Sequence, residues 1–247
     1  MEVITSVKNA YILKLLTLKD KKNQFLNQQY LIEGLNIVNE ALKNNVVDTI
    51  LTTKKHFKSF DFKNIIEISD NVAKKLSDLK TSQEIFAVCN IKNNPITNSN
   101  YLILDDIQDP GNLGTLLRSA LAFNFKNILC SFNCVSVYNP KVLRAAQGNH
   151  FKLNIEYCDL EKKINLLKNQ KLKIISTSLN QTSNFNLDKL DEQQNYGLIL
   201  GNEGSGVKQQ LTLLSDYNLL LDINSEVDSL NVGVAGSILM YKLFNKN

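Results

Sequence analysis

The 247-residue sequence predicts an α/β protein with two parts, and three observations support this prediction. Beyond residue 101, continuous apolar runs alternate with segments of helical periodicity, which is typical of an open, largely parallel sheet with helices on both faces. Residues 1–93 hold a shorter alternation of helix and strand, typical of a small α/β domain. Between them, the polar segment 94–100 contains Pro95 and shows no periodicity, which is typical of a linker. We therefore expect a first domain over 1–93, a linker over 94–100 and a second domain over 101–247.

Apolar spacing and strand-forming residues set the elements expected in the first domain. Apolar residues at helical spacing predict its helices, and Asn71 is a capping-type residue at the start of the last one. The expected helices are Val7–Leu18, Leu35–Lys43 and Asn71–Leu79. The runs rich in β-branched and apolar residues, which predict strands, are Gln29–Ile32, Val46–Leu51, Ile65–Ile68 and Ile85–Ile91. Together they predict a small α/β sandwich.

The second domain repeats a strand followed by a helix. The expected strands are Tyr101–Ile107, Lys126–Cys130, Leu172–Ser178, Tyr196–Gly201 and Asn218–Ile223. The expected helices are Leu113–Phe123, Lys141–Gln147, Leu160–Lys168, Val207–Ser215 and Val232–Phe244. In an open α/β sheet of this kind, ligands usually bind at the carboxyl ends of the strands.

Charge and composition narrow the classes of function. The net charge is +4, and residues 1–95 contain 14 lysines against ten acidic residues, whereas the remainder contains 14 basic and 14 acidic residues. The basic first part favours contact with a polyanion, and a solvated lysine-rich surface is the alternative. No apolar run approaches the roughly 18 residues of a membrane helix, and the first residues lack a signal peptide's features. We therefore expect a soluble, cytoplasmic protein without a membrane partner.

The cysteines and histidines do not have the spacing of a metal site. There are four cysteines and two histidines. Cys130 and Cys134 are close in sequence, but no second Cys/His pair accompanies them, and a structural zinc needs about four such ligands. We expect reduced, buried thiols and no metal.

The segment LDDIQDPGNLGTLLRSALAFNF, residues 104–125, places an amide and one arginine at a strand-to-helix junction. Residues 109–111 predict a tight turn, and Asn112 is suited to cap the helix that follows. Arg118 lies among small and apolar residues of that helix, where a planar, permanently charged guanidinium can bind phosphate or polarise a hydroxyl. The alternatives are a plain helix cap for Asn112 and a surface or ion-paired arginine for Arg118.

A glycine-rich turn follows a later strand. LILGNEGSGV, residues 198–207, has glycines around Asn202 and Glu203, and glycines at a strand end let backbone N–H groups approach a ligand. The spacing is G-x-x-G-x-G, which is neither the dinucleotide fingerprint nor a phosphate loop. The alternative is a plain turn in which Glu203 is a charge at a helix N-terminus.

The last segment joins a polar loop to a helix of small residues. SEVDSLNVGVAGSILMYKLF, residues 225–244, contains Ser229 and Asn231 before Gly233, Ala235, Gly236 and Ser237. Small residues let a helix pack very closely against another segment. An ordinary N-capped helix is the alternative, but it does not explain why so many small residues occur together.

In this order, the three segments resemble one family. DPGNLGTLLRSA (109–120), GNEGSGV (201–207) and SLNVGVAGSILMY (229–241) resemble the three motifs of the SpoU (TrmH-type) RNA ribose 2′-O-methyltransferases of the SPOUT class. NPKVLRAAQGNHFKL (139–153) resembles the region between motifs one and two. Residues 4–42 resemble the L30e-like RNA-binding domain of the ribosomal-RNA branch.

This resemblance implies a trefoil-knotted SPOUT methyltransferase domain, with S-adenosylmethionine bound in a bent form within the knot. The cofactor-binding residues that it implies are Thr177, Leu200, Gly201, Leu221, Ile223 and Leu230. One departure is the stretch 221–223, which often reads Ile-Pro-Met in the family and is Leu-Asp-Ile here. Backbone contacts tolerate that change.

The resemblance also implies a catalytic group. Arg118 matches the motif-one arginine, which contacts the target ribose or phosphate and helps the 2′-hydroxyl lose its proton. A positive charge that stabilises the developing alkoxide is useful because a free hydroxyl is a poor nucleophile. Asn112 would hold Arg118 or the ribose in place, and Glu203 would orient Asn112 or the loops. Ser229 and Asn231 match a polar pair near the methyl group.

The resemblance further implies RNA and a second copy of the chain as partners. The candidates for phosphate contact are Lys8, Lys19, Lys21, Lys22 and Arg144, and ordinary surface lysines are the alternative. Family members pair through the catalytic domain, so a homodimer is expected in which an arginine acts near the partner's cofactor.

The expected function is methyl transfer to a ribose 2′-hydroxyl of structured RNA, with 23S-type ribosomal RNA as the first choice. The alternatives are a transfer-RNA 2′-O-methyltransferase and a non-catalytic RNA-binding protein on the same fold. A nucleotide-dependent oxidoreductase lacks its glycine fingerprint here.

Overall fold

The structure is a computed structural model that describes residues 3–177, 194–221, 223–227 and 229–244. The chain divides into two compact units. The front unit contains residues 1–92 together with 138–151, and the rear unit contains 93–137 and 152–247. The break at residue 92 lies beside the predicted linker. Residues 138–151 group with the front unit, whereas the sequence assigns them to the second domain. The predicted domain boundaries stay a prediction.

The front unit is built on a four-stranded mixed sheet in the order β1-β4-β2-β3. Its strands are β1 (Gln29–Glu33), β2 (Val47–Thr52), β3 (Ile65–Glu67) and β4 (Ile85–Asn90). Strand β4 is antiparallel to both β1 and β2, and β2 is parallel to β3. All four strands occur where the sequence predicts them, within one or two residues at each end.

Five helical segments from residues 1–92 belong to the front unit. They are α1 (Ala10–Thr17), α2 (Lys21–Asn27), α3 (Leu35–Lys43), α4 (Asp70–Leu76) and a 3₁₀ turn at Phe57–Ser59. Helix α1 begins later than predicted because the Asn9 side chain accepts hydrogen bonds from the N–H groups of Tyr11 and Ile12 and fixes the helix start there. Helix α2 was not predicted, because its seven residues are mostly polar and show little apolar periodicity. Its start is fixed by Asp20, which accepts from the N–H of Lys22 at 2.7 Å.

Residues 138–151 contribute helix α6 (Pro140–Ala146) and a 3₁₀ turn at Asn149–Lys152. Tyr138 stacks on Tyr30 with ring centroids 4.3 Å apart, and its carbonyl accepts a hydrogen bond from Gln24 Nε2 at 3.1 Å. His150 Nε2 lies 3.3 Å from Tyr30 Oη. Burial lowers the pKa of His150 to about 3. These buried aromatic contacts hold the segment in the front unit.

The rear unit contains a six-stranded sheet in the order β10-β8-β9-β5-β6-β7, in which every neighbouring pair is parallel. Its strands are β5 (Tyr101–Leu104), β6 (Asn127–Cys130), β7 (Asn154–Tyr157), β8 (Lys173–Thr177), β9 (Tyr196–Leu200) and β10 (Tyr217–Leu219). The predicted parallel α/β sheet is confirmed. Strand β7 was missed because this edge strand has only four residues and no continuous apolar run. The predicted strand end at Ser178 lies outside the described residues.

The helices of the rear unit are α5 (Pro110–Ala122), α7 (Leu160–Asn169), α8 (Gln209–Leu214) and α9 (Val232–Phe244). The small residues of α9 allow close contact with α5 and β9. A Cβ added to Gly236 would lie 2.5 Å from side-chain carbons of both Leu116 and Leu200, and Ser237 Oγ lies 2.7 Å from Ser119 Oγ. The trefoil knot stays a prediction. No helix in the described part of the chain is long and apolar enough to cross a membrane.

The strand order locates the crevice of the rear unit. From the central strand β5 the chain moves outward on one side through β6 and β7, and then returns to build β8, β9 and β10 on the other side. In an open parallel sheet, a ligand crevice forms at the carboxyl ends of the strands where the order reverses. Here that point lies between β5 and β9, whose following loops contain the first two sequence segments singled out above.

Candidate active site

Three loops meet at the carboxyl edge of the rear sheet. The first loop (residues 105–109) follows β5 and leads into α5, and the second loop (residues 201–208) follows β9. The third loop, described over 223–227 and 229–231, leads into α9. Side-chain hydrogen bonds join all three, so the sequence segments that are far apart in the chain form one site.

Asn112 is not the helix cap that the sequence left open. Asp109 occupies the N-cap position of α5 and its Oδ1 accepts from the N–H of Asn112 at 2.8 Å. Helix α5 begins at Pro110, so Asn112 lies in the first turn with its own amide free to bond elsewhere. The cap interpretation is therefore wrong for Asn112, because Asp109 is the residue that caps α5.

The amide of Asn112 connects the second and third loops. Its Nδ2 donates to Glu203 Oε1 at 3.1 Å, and its Oδ1 accepts from Asn231 Nδ2 at 2.8 Å. A carboxylate only accepts hydrogen bonds, so the amide nitrogen of Asn112 must face Glu203 and its oxygen must face Asn231. The result is a directional chain, Glu203–Asn112–Asn231, across three loops.

Glu203 and Asn231 are each held by backbone as well. Glu203 Oε1 also accepts from the N–H of Asp109 at 3.3 Å, which places the carboxylate at the positive end of α5. Asn231 Oδ1 accepts from the N–H groups of Gly233 and Val234 at 2.9 and 3.3 Å, so Asn231 caps α9 and binds Asn112 at once. The N-capped helix that the sequence left open is therefore present, and the side chain that caps it also joins the third loop to Asn112.

The second loop closes on itself without room for a side chain at its first residue. A Cβ added to Gly201 would lie 2.1 Å from Gly206 C and from Val207 N. Asn202 and Gly206 exchange two backbone hydrogen bonds, at 3.0 and 2.9 Å. Gly206 has φ of +70°, which favours glycine. These glycines fit a compact turn whose backbone is open to a ligand.

Four of the residues implied for S-adenosylmethionine lie at the carboxyl edge of the rear sheet. Thr177 and Leu200 are the last residues of β8 and β9, Gly201 follows β9 directly, and Leu221 follows β10 after one residue. The other two, Ile223 and Leu230, expose 38% and 37% of their surface. An adenosine group needs apolar cover for its base and close approach of the backbone, which exposed apolar side chains and a tight glycine turn can each supply. Asp222 lies outside the described residues.

Arg118 and Ser229 are not part of the hydrogen-bonded chain. Arg118 lies six residues after Asn112 on α5, about 9 Å further along the axis and about 120° around it. Its side chain is exposed and makes no hydrogen bond or ion pair within the described residues. Ser229 is also exposed. The structure thus brings together Asn112, Glu203 and Asn231 and leaves the other two catalytic candidates at the surface.

The RNA-contact candidates all belong to the front unit and differ in availability. Lys8, Lys22 and Arg144 are exposed, and Lys21 is partly buried. Lys19 Nζ lies 2.7 Å from Asp78 Oδ1, so its charge is already paired. That ion pair weakens the expectation for Lys19, because a salt bridge must be broken before it can bind a phosphate.

Sequence reasoning missed a second polar network at the same edge. Asp105 and Asp106 at the end of β5 both pair with Lys208 Nζ, at 3.0 and 2.8 Å. Burial raises the pKa of Asp106, but hydrogen bonds from Lys208, Ser131 and Asn133 outweigh it and the net pKa is lowered. The pKa of Lys208 is raised, chiefly by its hydrogen bond to Asp106. The paired acids after a buried strand were visible in the sequence, but their partner 103 residues away was not.

Comparison with known proteins finds two family models that match the chain. Residues 99–241 match the model of the SpoU rRNA Methylase family, and residues 9–87 match the MRM3-like substrate binding domain. A Bacillus subtilis protein named 23S rRNA (guanosine(2553)-2'-O)-methyltransferase RlmP is 32% identical over 248 residues, which cover 98% of this chain and 99% of that protein.

Two solved structures share the fold over nearly the whole chain. The AdoMet-bound rRNA methyltransferase of Sinorhizobium meliloti has a TM-score of 0.86 at 21% identity and covers 98% of this chain and 97% of its own. The SpoU methyltransferase AviRb of Streptomyces viridochromogenes, in complex with AdoMet, has a TM-score of 0.86 at 18% identity and covers 96% and 98%. With the family's domain matched over more than half of its length, the chain belongs to the SpoU rRNA methylase family.

Proposed function

We propose that this protein transfers a methyl group from S-adenosylmethionine to a ribose 2′-hydroxyl of 23S-type ribosomal RNA in the cytoplasm. The similarity to RlmP over nearly the full length of both proteins supports the reaction and the RNA. The observation that carries the proposal for this chain is the Glu203–Asn112–Asn231 hydrogen-bonded chain, which ties the three family motifs together at the carboxyl edge of the sheet.

The residues of this chain would bind the cofactor, orient the ribose and activate its 2′-hydroxyl. S-adenosylmethionine, when bound, supplies an electrophilic methyl group. Gly201, Leu221, Ile223 and Leu230 would hold it through backbone and apolar contacts, with Thr177 and Leu200 beneath. Glu203 fixes the amide of Asn112, and Asn112 fixes Asn231, so that polar groups beside the cofactor cannot rotate. Holding the ribose oxygen in line with the methyl group contributes much of the rate of such a displacement.

Arg118 would stabilise the ribose oxygen as it loses its proton, and the geometry favours action on the partner's site in a homodimer. Arg118 lies on the exposed stripe of α5, about 120° around the helix from Asn112. Beside that helix, Val234, Tyr241 and Phe244 of α9 expose 48%, 52% and 41% of their surface, and the Phe123 ring lies 5.5 Å from that of Tyr241. An exposed apolar face of this kind fits a second copy of the chain.

The front unit would bind the RNA. It carries the basic excess of the sequence. It also presents Lys8, Lys22 and Arg144 at its surface. Such contacts with phosphates position an RNA without reading its sequence.

Methyl transfer to total RNA tests the proposed function. The purified protein is incubated with labelled S-adenosylmethionine and RNA from a strain that lacks the gene, and the labelled species are separated. We expect label in 23S ribosomal RNA, resistant to alkaline cleavage because the 2′-hydroxyl is blocked. Label in transfer RNA would assign the transfer-RNA alternative. A protein that binds RNA but transfers no methyl group would be the non-catalytic alternative.

A further inference from the structure

Helix α8 begins with a lysine whose side chain does not cap it. Lys208 is the N-cap residue of α8, where Ser, Thr, Asp and Asn are preferred, and it makes no side-chain cap hydrogen bond. Its Nζ instead lies 3.0 Å from Asp105 Oδ1 and 2.8 Å from Asp106 Oδ2. Its backbone N–H donates to Asp105 Oδ2 at 2.9 Å. Lys208 thus does not cap its own helix, and its side chain contacts the first loop instead.

The acids that Lys208 binds are themselves fixed. Asp105 is only 1% exposed, and a carboxylate at such a site needs a partner. Asp106 has φ of +58°, a left-handed conformation that non-glycine residues rarely adopt. Its carboxylate accepts from Ser131 Oγ at 2.6 Å and from Asn133 Nδ2 at 3.1 Å. The first loop is therefore a rigid anchor.

The second loop is attached to that anchor at both ends. At its start, Asn202 Nδ2 donates to the carbonyl of Asp106 at 2.9 Å. At its end, Lys208 binds both acids. Glu203 projects from the turn between these two attachments and reaches the N–H of Asp109 and the amide of Asn112. Glu203 thus lies between two attachments of the second loop to the first, one through Asn202 and one through Lys208.

We propose that Lys208 is a positioning residue of the methyltransferase: its ion pair with Asp105 and Asp106 clamps the second loop onto the first, so that Glu203 holds Asn112 and the Gly201 turn keeps the shape that binds the cofactor. The inference rests on the proposed function and adds a residue to it. Lys208 touches neither cofactor nor ribose in this proposal, and acts through Glu203 and the turn.

Replacement of the charge tests the clamp. Lys208→Met keeps the length of the side chain and removes its charge, and Lys208→Arg keeps the charge. We expect Lys208→Met to lower kcat by about 10- to 100-fold and to raise the KM for S-adenosylmethionine, because small displacements of positioning groups cost rates of that order. The KM for RNA is expected to stay within about twofold, since RNA contacts lie elsewhere, and Lys208→Arg is expected to retain most of the kcat.

A matched control separates the effect of losing the Lys208 clamp from the effect of losing an ordinary surface ion pair. Lys162 pairs with Asp159 at 3.1 Å at the surface of α7, with 83% of its side chain exposed. Lys162→Met is expected to leave kcat and both KM values unchanged. Equal kcat for Lys208→Met and Lys162→Met would overturn the proposal.

A double variant separates positioning from folding. Lys208→Met leaves the buried Asp105 without its cation and is expected to lower the unfolding temperature. Adding Asp105→Asn removes that unpaired charge and is expected to restore the unfolding temperature, whereas kcat stays low because the clamp is still absent. Full recovery of kcat in the double variant would show that Lys208 acts on stability alone and would overturn the proposal. The wild type is assayed first, because a wild type without methyl transfer would contradict the proposed function itself. An active wild type together with an equally active Lys208→Met variant would contradict only the inference about Lys208.

Discussion

The candidate catalytic residues of the rear unit and the candidate RNA-contact residues of the front unit are organised in different ways. In the rear unit, Asn112 and Asn231 are 119 residues apart in sequence and share a hydrogen bond of 2.8 Å, and Glu203 joins them from a third segment. In the front unit, Lys8 and Lys22 are exposed and Lys43 pairs with Glu40 three residues away. In the rear unit the proposed function depends on the exact positions of a few side chains. In the front unit it depends on the positive charge that the lysines present. Substitutions should therefore abolish turnover in the first case and reduce binding gradually in the second.

Arg118→Ala gives the largest expected effect. Loss of the cation should lower kcat by about 100- to 1000-fold, because removing one group that stabilises a developing oxyanion costs rates of that order. Affinity for S-adenosylmethionine, measured by calorimetry, should stay within about twofold, because the proposal assigns Arg118 to the ribose and not to the cofactor. A variant with normal turnover would remove Arg118 from the mechanism.

Mixed dimers decide whether Arg118 serves its own chain or its partner's. Arg118→Ala and Asn112→Ala subunits are each expected to be inactive, and they are unfolded together and refolded as a mixture. If the arginine acts on the partner's site, each mixed dimer regains one complete site, and an equal mixture should recover about a quarter of wild-type activity by random pairing. No recovery would place Arg118 in its own subunit's site. Sedimentation equilibrium under the same conditions tests whether the wild type is a dimer, which this prediction requires.

Asn112→Asp sharpens the comparison within the rear unit. The change keeps the shape of the side chain but sets a second carboxylate against Glu203, at the 3.1 Å that now separates Asn112 Nδ2 from Glu203 Oε1. Two carboxylates at this distance cannot both ionise readily, so one of the two pKa values rises. We expect kcat to fall by about 100-fold at pH 8 and by less at pH 6, where the pair shares a proton. A loss of kcat that is independent of pH would contradict this account.

The sequence predicted those features that depend on neighbouring residues. The bounds of α3 and α9 are observed as predicted. Apolar residues at helical spacing mark α3, and small and apolar residues follow Asn231, which caps α9. The three family motifs also contain the residues that the structure joins, Asn112, Glu203 and Asn231. The pairing of Asn112 with Glu203 and Asn231 follows from tertiary contacts. Local reasoning left a helix cap open as the alternative for Asn112, because Asn is a good cap. Asp109 is an equally good capping residue, and it lies in the turn that precedes α5.

Other features left almost no local signal. Lys208 looked like any surface lysine, because its partners Asp105 and Asp106 are brought near it only by the parallel pairing of β5 and β9. Tyr138 and His150 looked like ordinary members of the second domain, yet they pack in the front unit against Tyr30. For that reason, removal of residues 1–95 would also expose buried aromatic surface on 138–151, and point substitutions test RNA binding in the front unit more cleanly.

Lys22→Gln is expected to have a modest effect on RNA binding. Loss of one phosphate contact should weaken RNA affinity by about two- to fivefold, equally for all RNA sequences, and should reduce the slope of log affinity against log salt by about one. Turnover at saturating RNA should not change. Lys43→Gln is the matched control, because Lys43 is also exposed but already paired with Glu40 at 2.6 Å. The same reduction of the salt slope in both variants would show that the front unit attracts RNA by net charge rather than through Lys22.

His150 provides the smallest expected effect and tests the attachment of 138–151 to the front unit. Its pKa is lowered to about 3 by burial, from an ordinary value of 6.5, so the unfolded chain binds a proton that the folded chain does not between these pH values. Stability therefore falls as the pH falls through 6.5, and the expected loss from pH 7 to pH 6 is about 0.7 kcal/mol of unfolding free energy from this residue. His150→Phe removes the titration and keeps an aromatic ring beside Tyr30 and Phe151. Urea unfolding followed by tyrosine fluorescence at the two pH values should show a smaller pH dependence in the variant by about that amount. An identical pH dependence would mean that His150 can take up its proton without separating from Tyr30, and that residues 138–151 are less firmly packed in the front unit than their contacts indicate.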